Sequence, residues 1–407
     1  MDKYALIGEH LGHSYSPQIH AMLYENEYTL REVPADGLAE FLQTTDCAAM
    51  NVTIPYKKAV IPFCTELDAV AGRIGSVNTL VRRADGWHGY NTDYAGFEYM
   101  LRSAGVSPKG KKCVVFGSGG ASLTVQTVLA DLGAAEIIVV SRSGENNYGN
   151  LGRHADAAIL VNATPVGMYP NTGAAAGDIS ALPKLEAVFD LVYNPARTQL
   201  LLDAEARGIK AVNGLSMLSA QGVRSAEHFS GRRFDDAKIA EITAALSRQM
   251  QNIILVGMPG CGKTTVGRAL ASALGREMAD ADDEITKRAG KTVPEIFAEG
   301  GEALFRKLET QTLTELGKRS GLVIATGGGC VTRGENYPLL HQNGVIVWLR
   351  RALGELPRDG RPLSQAHAPE ELWRERRDKY AAFADITVDS AGSAAETAKK
   401  VKEALEK

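Results

Sequence analysis

Apolar runs of about five residues alternate along the chain with longer stretches whose apolar residues recur at three- and four-residue steps. The short runs fit strands buried on both faces and the longer stretches fit amphipathic helices. The chain therefore reads as a succession of βα units with parallel sheets, an α/β protein. Residues Asp235 to Gln251 predict one helix, with Ile239, Ile242, Leu246 and Met250 on a single stripe. Two strands open into glycine-rich turns. Cys113-Val-Val-Phe116 leads into Gly117-Ser-Gly-Gly-Ala121, and Ile253-Ile-Leu-Val256 leads into Gly257-Met-Pro-Gly-Cys-Gly-Lys263. About 140 residues separate the two turns, which predicts two nucleotide sites and not one site counted twice. The second strand starts almost directly after the 235–251 helix, so a boundary with a very short linker is expected near residue 250. Within the first part, 1–104 with 222–249 is expected as one domain and 105–221 as another, followed by 250–407. There is no low-complexity segment and no short-period repeat.

A length of 407 residues allows two or three domains, each able to bury its own core. With 44% hydrophobic and 23% charged residues and a net charge of −3, the chain has the balance of a globular protein. Near-neutrality argues against a nucleic-acid partner, which would favour a basic stripe. Five scattered cysteines (Cys47, Cys64, Cys113, Cys261, Cys330) include no CxxC pair. That pattern is neither a disulfide framework nor a zinc site, and it fits a reducing compartment. Met1-Asp2-Lys3-Tyr4 runs into a strand-like segment without a long apolar core, so no signal peptide is expected. No apolar stretch is long enough to cross a bilayer, and a cytoplasmic chain without membrane partners is expected. Homo-oligomerisation stays open.

The first glycine turn lets backbone approach a pyrophosphate at a helix N-terminus, although glycines also close ordinary βα turns and the third fingerprint position is Ser122. The next predicted strand, Glu136-Ile-Ile-Val-Val140, ends in Ser141-Arg142-Ser143, where an NAD-binding chain would place an acidic residue. A guanidinium there suits the 2′-phosphate of NADP, against the alternative of a solvated surface arginine. The candidate cofactor residues are thus Gly117, Ser118, Gly119, Gly120, Ala121, Ser141, Arg142 and Ser143.

The second turn is a full Gly257-x4-Gly262-Lys263-Thr264 phosphate loop. Its backbone, including Gly257, Gly260, Cys261 and Gly262, would wrap the phosphates of ATP. Lys263 would reach the β and γ oxygens, and the Thr264 hydroxyl, with Thr265 beside it, would sit at Mg²⁺. Such a loop does not by itself name the phosphoryl acceptor.

Several polar clusters interrupt segments that otherwise look buried: His13-Ser14-Tyr15-Ser16-Pro17, Asn51-Val-Thr53-Ile-Pro-Tyr-Lys57, Ser76-Val-Asn78-Thr79, Asn91-Thr92-Asp93, Asn162-Ala-Thr164-Pro-Val-Gly167, Asn213-Gly214 and Met217-Leu-Ser-Ala-Gln221. Each alone could be a turn or a cap. In this order, around a GxGGA turn, they resemble the shikimate dehydrogenase family across the first 249 residues. The resemblance implies an α/β substrate domain joined to a Rossmann NADP domain. It implies Lys57 and Asp93 as the catalytic pair, with Ser14, Ser16, Thr53, Asn78, Tyr193 and Gln221 on the substrate and Asn162, Thr164 and Gly214 toward NADP(H). Only 18 residues (144–161) separate Ser143 from Asn162, shorter than in most relatives, which bears on cofactor affinity. Quinate dehydrogenases share this fold and are the close alternative.

After the second turn come Asp280-Ala-Asp282, Phe305-Arg306-Lys-Leu-Glu309, Thr326-Gly327-Gly328-Gly329, Arg361-Pro-Leu363 and Arg376-x3-Tyr380. Together these resemble shikimate kinase, a P-loop NTPase fold with a parallel sheet, over nearly all of 250–407. The resemblance implies that Asp282 holds the attacking hydroxyl and that Arg306 and Arg376 grip a carboxylate, while Gly327, Gly328 and Gly329 admit the ring. Asp280 would hold Mg²⁺ with Thr264, Arg361 would close over the phosphates, and Arg358 would stack on adenine or be solvated. Two motif sets thus converge on one molecule: 3-dehydroshikimate is reduced to shikimate, and shikimate is then phosphorylated. The rival reading is a fusion with one half inactive, serving as a scaffold.

Overall fold

The computed structural model describes residues 2–12, 14–356 and 369–406. It divides into two compact units, the first comprising Met1–Gly167, Ala174–Tyr193 and Asp203–Leu246, and the second Met168–Gly173, Asn194–Leu202 and Ser247–Lys407.

The first unit contains two sheets. One is mixed and six-stranded: β1 (Tyr4–Gly8), β2 (Tyr28–Glu32), β3 (Ala49–Val52), β4 (Cys64–Leu67), β5 (Thr79–Arg83) and β6 (Gly86–Tyr90), in the order β2-β1-β3-β5-β6-β4. Strands β1 and β3 are buried along their whole length; Ile7, Met50 and Leu80 lie in one buried cluster with Trp87. The antiparallel register sets Asn51 opposite Thr79, and Thr79 opposite Tyr90. Three polar segments therefore reach one end of the sheet together.

The other sheet of this unit is wholly parallel: β7 (Lys112–Phe116), β8 (Glu136–Val140), β9 (Ile159–Asn162), β10 (Ala187–Asp190) and β11 (Lys210–Val212), ordered β11-β10-β9-β7-β8. The order reverses between β7 and β9, so a crevice opens at their carboxyl ends, the position where such sheets bind ligands. Between β8 and β9 the short 144–161 stretch forms a 3₁₀ helix, Tyr148–His154, capped by Asn147. The helix Leu215–Ser230 runs unbroken through residue 221, where the sequence places the end of the dinucleotide segment. It packs closely on the helix Thr92–Ser103, where a Cβ on Gly96 would stand 2.8 Å from the Met217 carbonyl oxygen.

The second unit holds a parallel sheet of β12 (Asn252–Val256), β13 (Met278–Asp280), β14 (Val323–Ala325), β15 (Gly344–Arg350) and β16 (Ile386–Asp389), ordered β13-β14-β12-β15-β16. Its core joins Ile254, Leu255, Val323, Ile346 and Val347 to Leu270 and Leu313 from the flanking helices. The stretch Asn194–Leu202 is tied into this unit by backbone. Ala196 N–H donates to Asn343 Oδ1 at 2.7 Å, Arg197 N–H to the Gln342 carbonyl at 2.8 Å, and Arg197 Nη1 to the His341 carbonyl at 3.1 Å. Asn343 also donates to the Gly317 carbonyl, which holds the end of the helix Val293–Lys318.

That helix runs so close to the segment Asn336–His341 that a Cβ on Gly317 would overlap the Leu339 carbonyl oxygen. Gly317→Ala is expected to destabilise the second unit by about 1–3 kcal/mol, the usual cost of overpacking a core contact. The check is a lower denaturant midpoint at unchanged m-value, with tryptophan fluorescence as the probe; an unchanged midpoint would contradict the packing described.

Candidate active sites

In the first unit, Lys57 follows β3 and Asp93 lies in the first turn of the helix Thr92–Ser103, which Asn91 caps through Tyr94 N–H. Lys57 Nζ stands 2.6 Å from Asp93 Oδ2, with side chains 30% and 14% exposed. A partly hydrated ion pair contributes little to stability, on the order of 0–1 kcal/mol. Its chemical capacity is different: an ammonium beside a carboxylate, open to solvent, can pass a proton to an oxygen that becomes basic.

Among the neighbouring groups Ser16, Asn78 and Thr92 are buried, and Ser14, Thr53, Tyr193 and Gln221 are half-buried. Asn78 Nδ2 donates to Thr92 Oγ1 at 3.1 Å, while Asn78 Oδ1 accepts Thr92 N–H at 2.8 Å. Ser14 and Ser16 face each other through their hydroxyls at 3.2 Å, at the start of the helix Ser16–Ala21. Thr53 is anchored by its N–H to the Ile7 carbonyl, and Gln221 Nε2 donates to the Leu218 carbonyl. Tyr193 meets Tyr15 edge to face with ring centres 6.1 Å apart, and burial pushes its hydroxyl pKa up. A residue outside the expected set connects several of these. Asn51 Nδ2 lies 3.4 Å from both the Asn78 carbonyl and Thr79 Oγ1, and Asn51 Oδ1 accepts from Tyr28 at 2.8 Å.

At the crevice between β7 and β9, Gly117 has φ +98°, and a Cβ there would stand 2.8 Å from Thr164 Cγ2. Gly119 and Gly120 look onto open space and begin the helix Gly120–Asp131, so its first N–H groups are available to an anion. Ser118 and Ala121 lie beside them, both exposed, whereas Ser122 is fully buried and accepts from Gln126. Asn162 and Thr164 bond mainly to their own surroundings: Asn162 donates to Asp190 Oδ1 at 2.9 Å and accepts from Thr164 Oγ1 at 2.7 Å. They shape the crevice wall. Gly214, just after β11, packs so closely on the residue after β10 that a Cβ would overlap the Leu191 carbonyl oxygen. Ser141 N–H is held by the Asn146 carbonyl, leaving the side chains of Arg142 and Ser143 exposed at the end of β8. An exposed guanidinium with open glycine N–H groups fits a phosphorylated dinucleotide.

In the second unit, Gly257, Gly260 and Gly262 all have positive φ (+146°, +85° and +97°). Lys263 is buried and folds back, donating from Nζ to the carbonyls of Gly257 at 2.8 Å and Met258 at 3.1 Å. Cys261 is buried inside the loop, and Thr265 is exposed. Thr264 Oγ1 donates to Asp280 Oδ2 at 2.7 Å, while Asp280 Oδ1 caps the next helix through Asp282 N–H. A hydroxyl and a carboxylate in contact below a phosphate loop form an oxygen-only donor set, which fits Mg²⁺.

A pocket with two buried arginines adjoins this loop. Arg306 Nη1 bonds Glu309 Oε2 at 2.7 Å, and Arg306 Nη2 bonds Glu302 at 3.0 Å. Burial alone would lower the Arg306 pKa, but Glu309 and Glu302 outweigh it and hold the guanidinium charged. Glu309 is wholly buried, burial pushes its carboxyl up against the opposing pull of Arg306, and its Oε1 has no hydrogen-bond partner. That oxygen and Asp282 Oδ1 both face Gly327, at 2.6 and 3.1 Å from where a Cβ would lie. A Cβ on Gly328 would meet the Pro259 ring, and one on Gly329 would fall on the Arg306 guanidinium. The Gly328 carbonyl accepts from Tyr380 and, at 3.5 Å, from Arg376 Nη1. Arg376 is buried and its Nε has no hydrogen-bond partner; Glu375 stands 3.7 Å away, beyond hydrogen-bond reach. Buried polar groups are nearly always satisfied, so an unmatched guanidinium N–H beside a stripped glycine turn fits an anionic ligand. Arg358 and Arg361 lie outside the described residues.

Two family models match the chain, Shikimate dehydrogenase substrate binding domain over residues 6–80 and Shikimate kinase over residues 259–406. The shikimate dehydrogenase (NADP(+)) of Clostridium perfringens strain 13 is 37% identical over 263 residues, covering 60% of this chain and 97% of that protein. Among solved structures, a chorismate mutase/shikimate 5-dehydrogenase fusion protein from Clostridium acetobutylicum is 39% identical with a TM-score of 0.58, over 60% of this chain and 97% of its own. The shikimate 5-dehydrogenase from Thermus thermophilus, in complex with shikimate, is 30% identical with a TM-score of 0.54, over 60% and 99%. The chain belongs to the shikimate dehydrogenase family, and it carries a shikimate kinase domain in its C-terminal part.

Proposed function

We propose that the chain is a bifunctional enzyme of chorismate biosynthesis that reduces 3-dehydroshikimate to shikimate and then phosphorylates the hydroxyl just formed. The observation that carries this reading is that each unit has its own glycine turn at a helix start, with a charged set nearby that suits one carboxylated polyol. The dehydrogenase family membership and the kinase family match support the two halves separately.

In the first reaction NADPH supplies the hydride, and the ketone oxygen gains a proton. Lys57 donates that proton to the developing alkoxide, and Asp93, 2.6 Å away, holds the ammonium in place. Ser14, Ser16, Thr53, Asn78, Tyr193 and Gln221 hold the carboxylate and hydroxyls of the substrate. Arg142 reads the 2′-phosphate while the Gly117–Ala121 backbone carries the pyrophosphate. In the second reaction ATP with Mg²⁺ supplies the phosphoryl group. Asp282 orients the attacking hydroxyl and takes its proton, Arg306 and Arg376 bind the ring carboxylate, and Lys263 neutralises charge growing on the transferred group. Thr264 and Asp280 hold the metal.

The two halves separate by mutation. Lys57→Ala is expected to lower NADP⁺-dependent shikimate oxidation by about 10²- to 10⁴-fold, the usual range for a lost acid–base group, with phosphorylation of shikimate unaffected. Lys263→Ala is expected to do the reverse. If one variant abolishes both activities, the two-site reading fails.

Arg142→Ala is expected to weaken NADP⁺ by roughly 10- to 100-fold, the worth of a charge-assisted hydrogen bond, and to leave NAD⁺ nearly unchanged. Equal KM ratios for the two coenzymes before and after substitution would refute the role given to Arg142. In the kinase, Gly329→Ala is expected to displace Arg306 and raise KM for shikimate by about tenfold or more, since 1.4 kcal/mol is one decade, with KM for ATP retained. A variant weakened equally toward both substrates would argue against this placement.

A further inference from the structure

His20 lies on the helix Ser16–Ala21 and is fully buried. Its ring stacks on Tyr28, with centres 4.0 Å apart and planes 13° from parallel, and on Phe229, 5.5 Å and 14°. Both ring nitrogens are engaged. Nδ1 meets the Tyr24 hydroxyl, and Nε2 stands 3.1 Å from Asn51 Oδ1. An amide oxygen can only accept, so Nε2 carries the proton and Nδ1 accepts from Tyr24. Burial holds the imidazole pKa down to about 3, and the two titratable groups packed on it, Tyr24 and Tyr28, are pushed up and stay protonated. The ring is a neutral donor of fixed tautomer throughout the working pH range.

That donor has a directional effect. Asn51 Oδ1 receives His20 Nε2–H and the Tyr28 hydroxyl at 2.8 Å. With His20 and Tyr28 on the oxygen side and the Asn78 carbonyl, which can only accept, on the other, the amide cannot flip, so Nδ2 points to Thr79 Oγ1 and the Asn78 carbonyl. Thr79 Oγ1 in turn donates to Asn78 Oδ1 at 3.0 Å, and Asn78 Nδ2 to Thr92 Oγ1 at 3.1 Å. Thr92 immediately precedes Asp93. Tyr28 also hydrogen-bonds the Ser16 side chain. One buried chain of hydrogen bonds, all running in the same sense, therefore links His20 to Asn78 and Thr92.

We propose that His20 is a positioning residue of the dehydrogenase site: its Nε2–H fixes the Asn51 amide and through it Asn78, which receives the substrate. The proposal rests on the dehydrogenase reading above. It assigns His20 an effect on the ring acid and none on the dinucleotide or on phosphoryl transfer.

The test uses the full chain and steady-state kinetics with shikimate and NADP⁺, the kinase rate serving as an internal control. His20→Phe keeps the stacked ring and removes the donor; His20→Gln keeps an N–H donor. Expected for His20→Phe is a rise in KM for shikimate of about tenfold, the worth of one net neutral hydrogen bond, with KM for NADP⁺ and the kinase rate unchanged. His20→Gln is expected to stay within about threefold of the parent on the same scale. Should His20→Phe fail to fold, His20→Leu likewise removes the donor while leaving Tyr28 and its Ser16 contact in place, and is expected to show the same split. A parent-like KM for shikimate in the folded donor-less variant, a parallel rise for NADP⁺, or a glutamine variant no better than phenylalanine would each overturn the proposal. Absence of shikimate oxidation by the parent chain itself would instead remove the site reading, and this inference with it.

Discussion

A helix that begins directly after a parallel strand leaves its first N–H groups without carbonyl partners, and both units make this join through glycine. At Gly117 a side chain would strike Thr164, and at Gly257 it would strike the Leu349 carbonyl oxygen and Cys261. The backbone must turn that sharply for the helix to point its N-terminus out of the sheet. Everything else in each site is placed relative to that opening: Arg142 at the end of the adjacent strand β8, and Thr264 with Asp280 across from Lys263. The strands fix the direction of the turn, and the turn fixes where an anion can sit.

The two units use charge differently around these openings. Lys57 and Asp93 remain partly hydrated, so their proton can exchange and their pairing costs little desolvation. Arg306 and Glu309 are almost wholly removed from water, and a buried pair is costly unless its remaining groups are matched. That pair is only partly matched, since Glu309 Oε1 lacks a hydrogen bond, and so does Nε of the neighbouring Arg376. The first arrangement suits proton transfer to a reacting oxygen. The second suits holding a fixed anion in a dry pocket, where each interaction is less screened.

The parts of this architecture carried by local pattern were legible in the residues. The strands before both glycine turns and the helix near 235–250 depend on periodicity and on glycine's tolerance of positive φ, which short windows reveal. The His20–Asn51 chain was not legible. Its members are 31 residues apart, and a histidine on an apolar helix reads as an ordinary core residue. Only the sheet register, which puts Asn51 opposite Thr79, brings them together. Asn162 and Thr164 look in sequence like ligand contacts, yet much of their bonding capacity goes to each other and to Asp190. The attachment of Asn194–Leu202 to residues 341–343 was hidden for another reason: most of its bonds use backbone groups, which leave no trace in side-chain identity.

That attachment bears on how the kinase could be dissected. A shortened chain beginning at the strand Asn252–Val256 would contain every phosphate-loop and arginine residue, yet it would strip Ala196 and Arg197 from the His341–Asn343 corner. Three acceptors now served by protein would have to find solvent, and Asn343, which braces the end of the long helix, would lose the donor to its side-chain oxygen. The catalytic inventory and the folding unit of this half are therefore different sets of residues, and severing the chain where the motifs begin removes part of the scaffold that the motifs stand on.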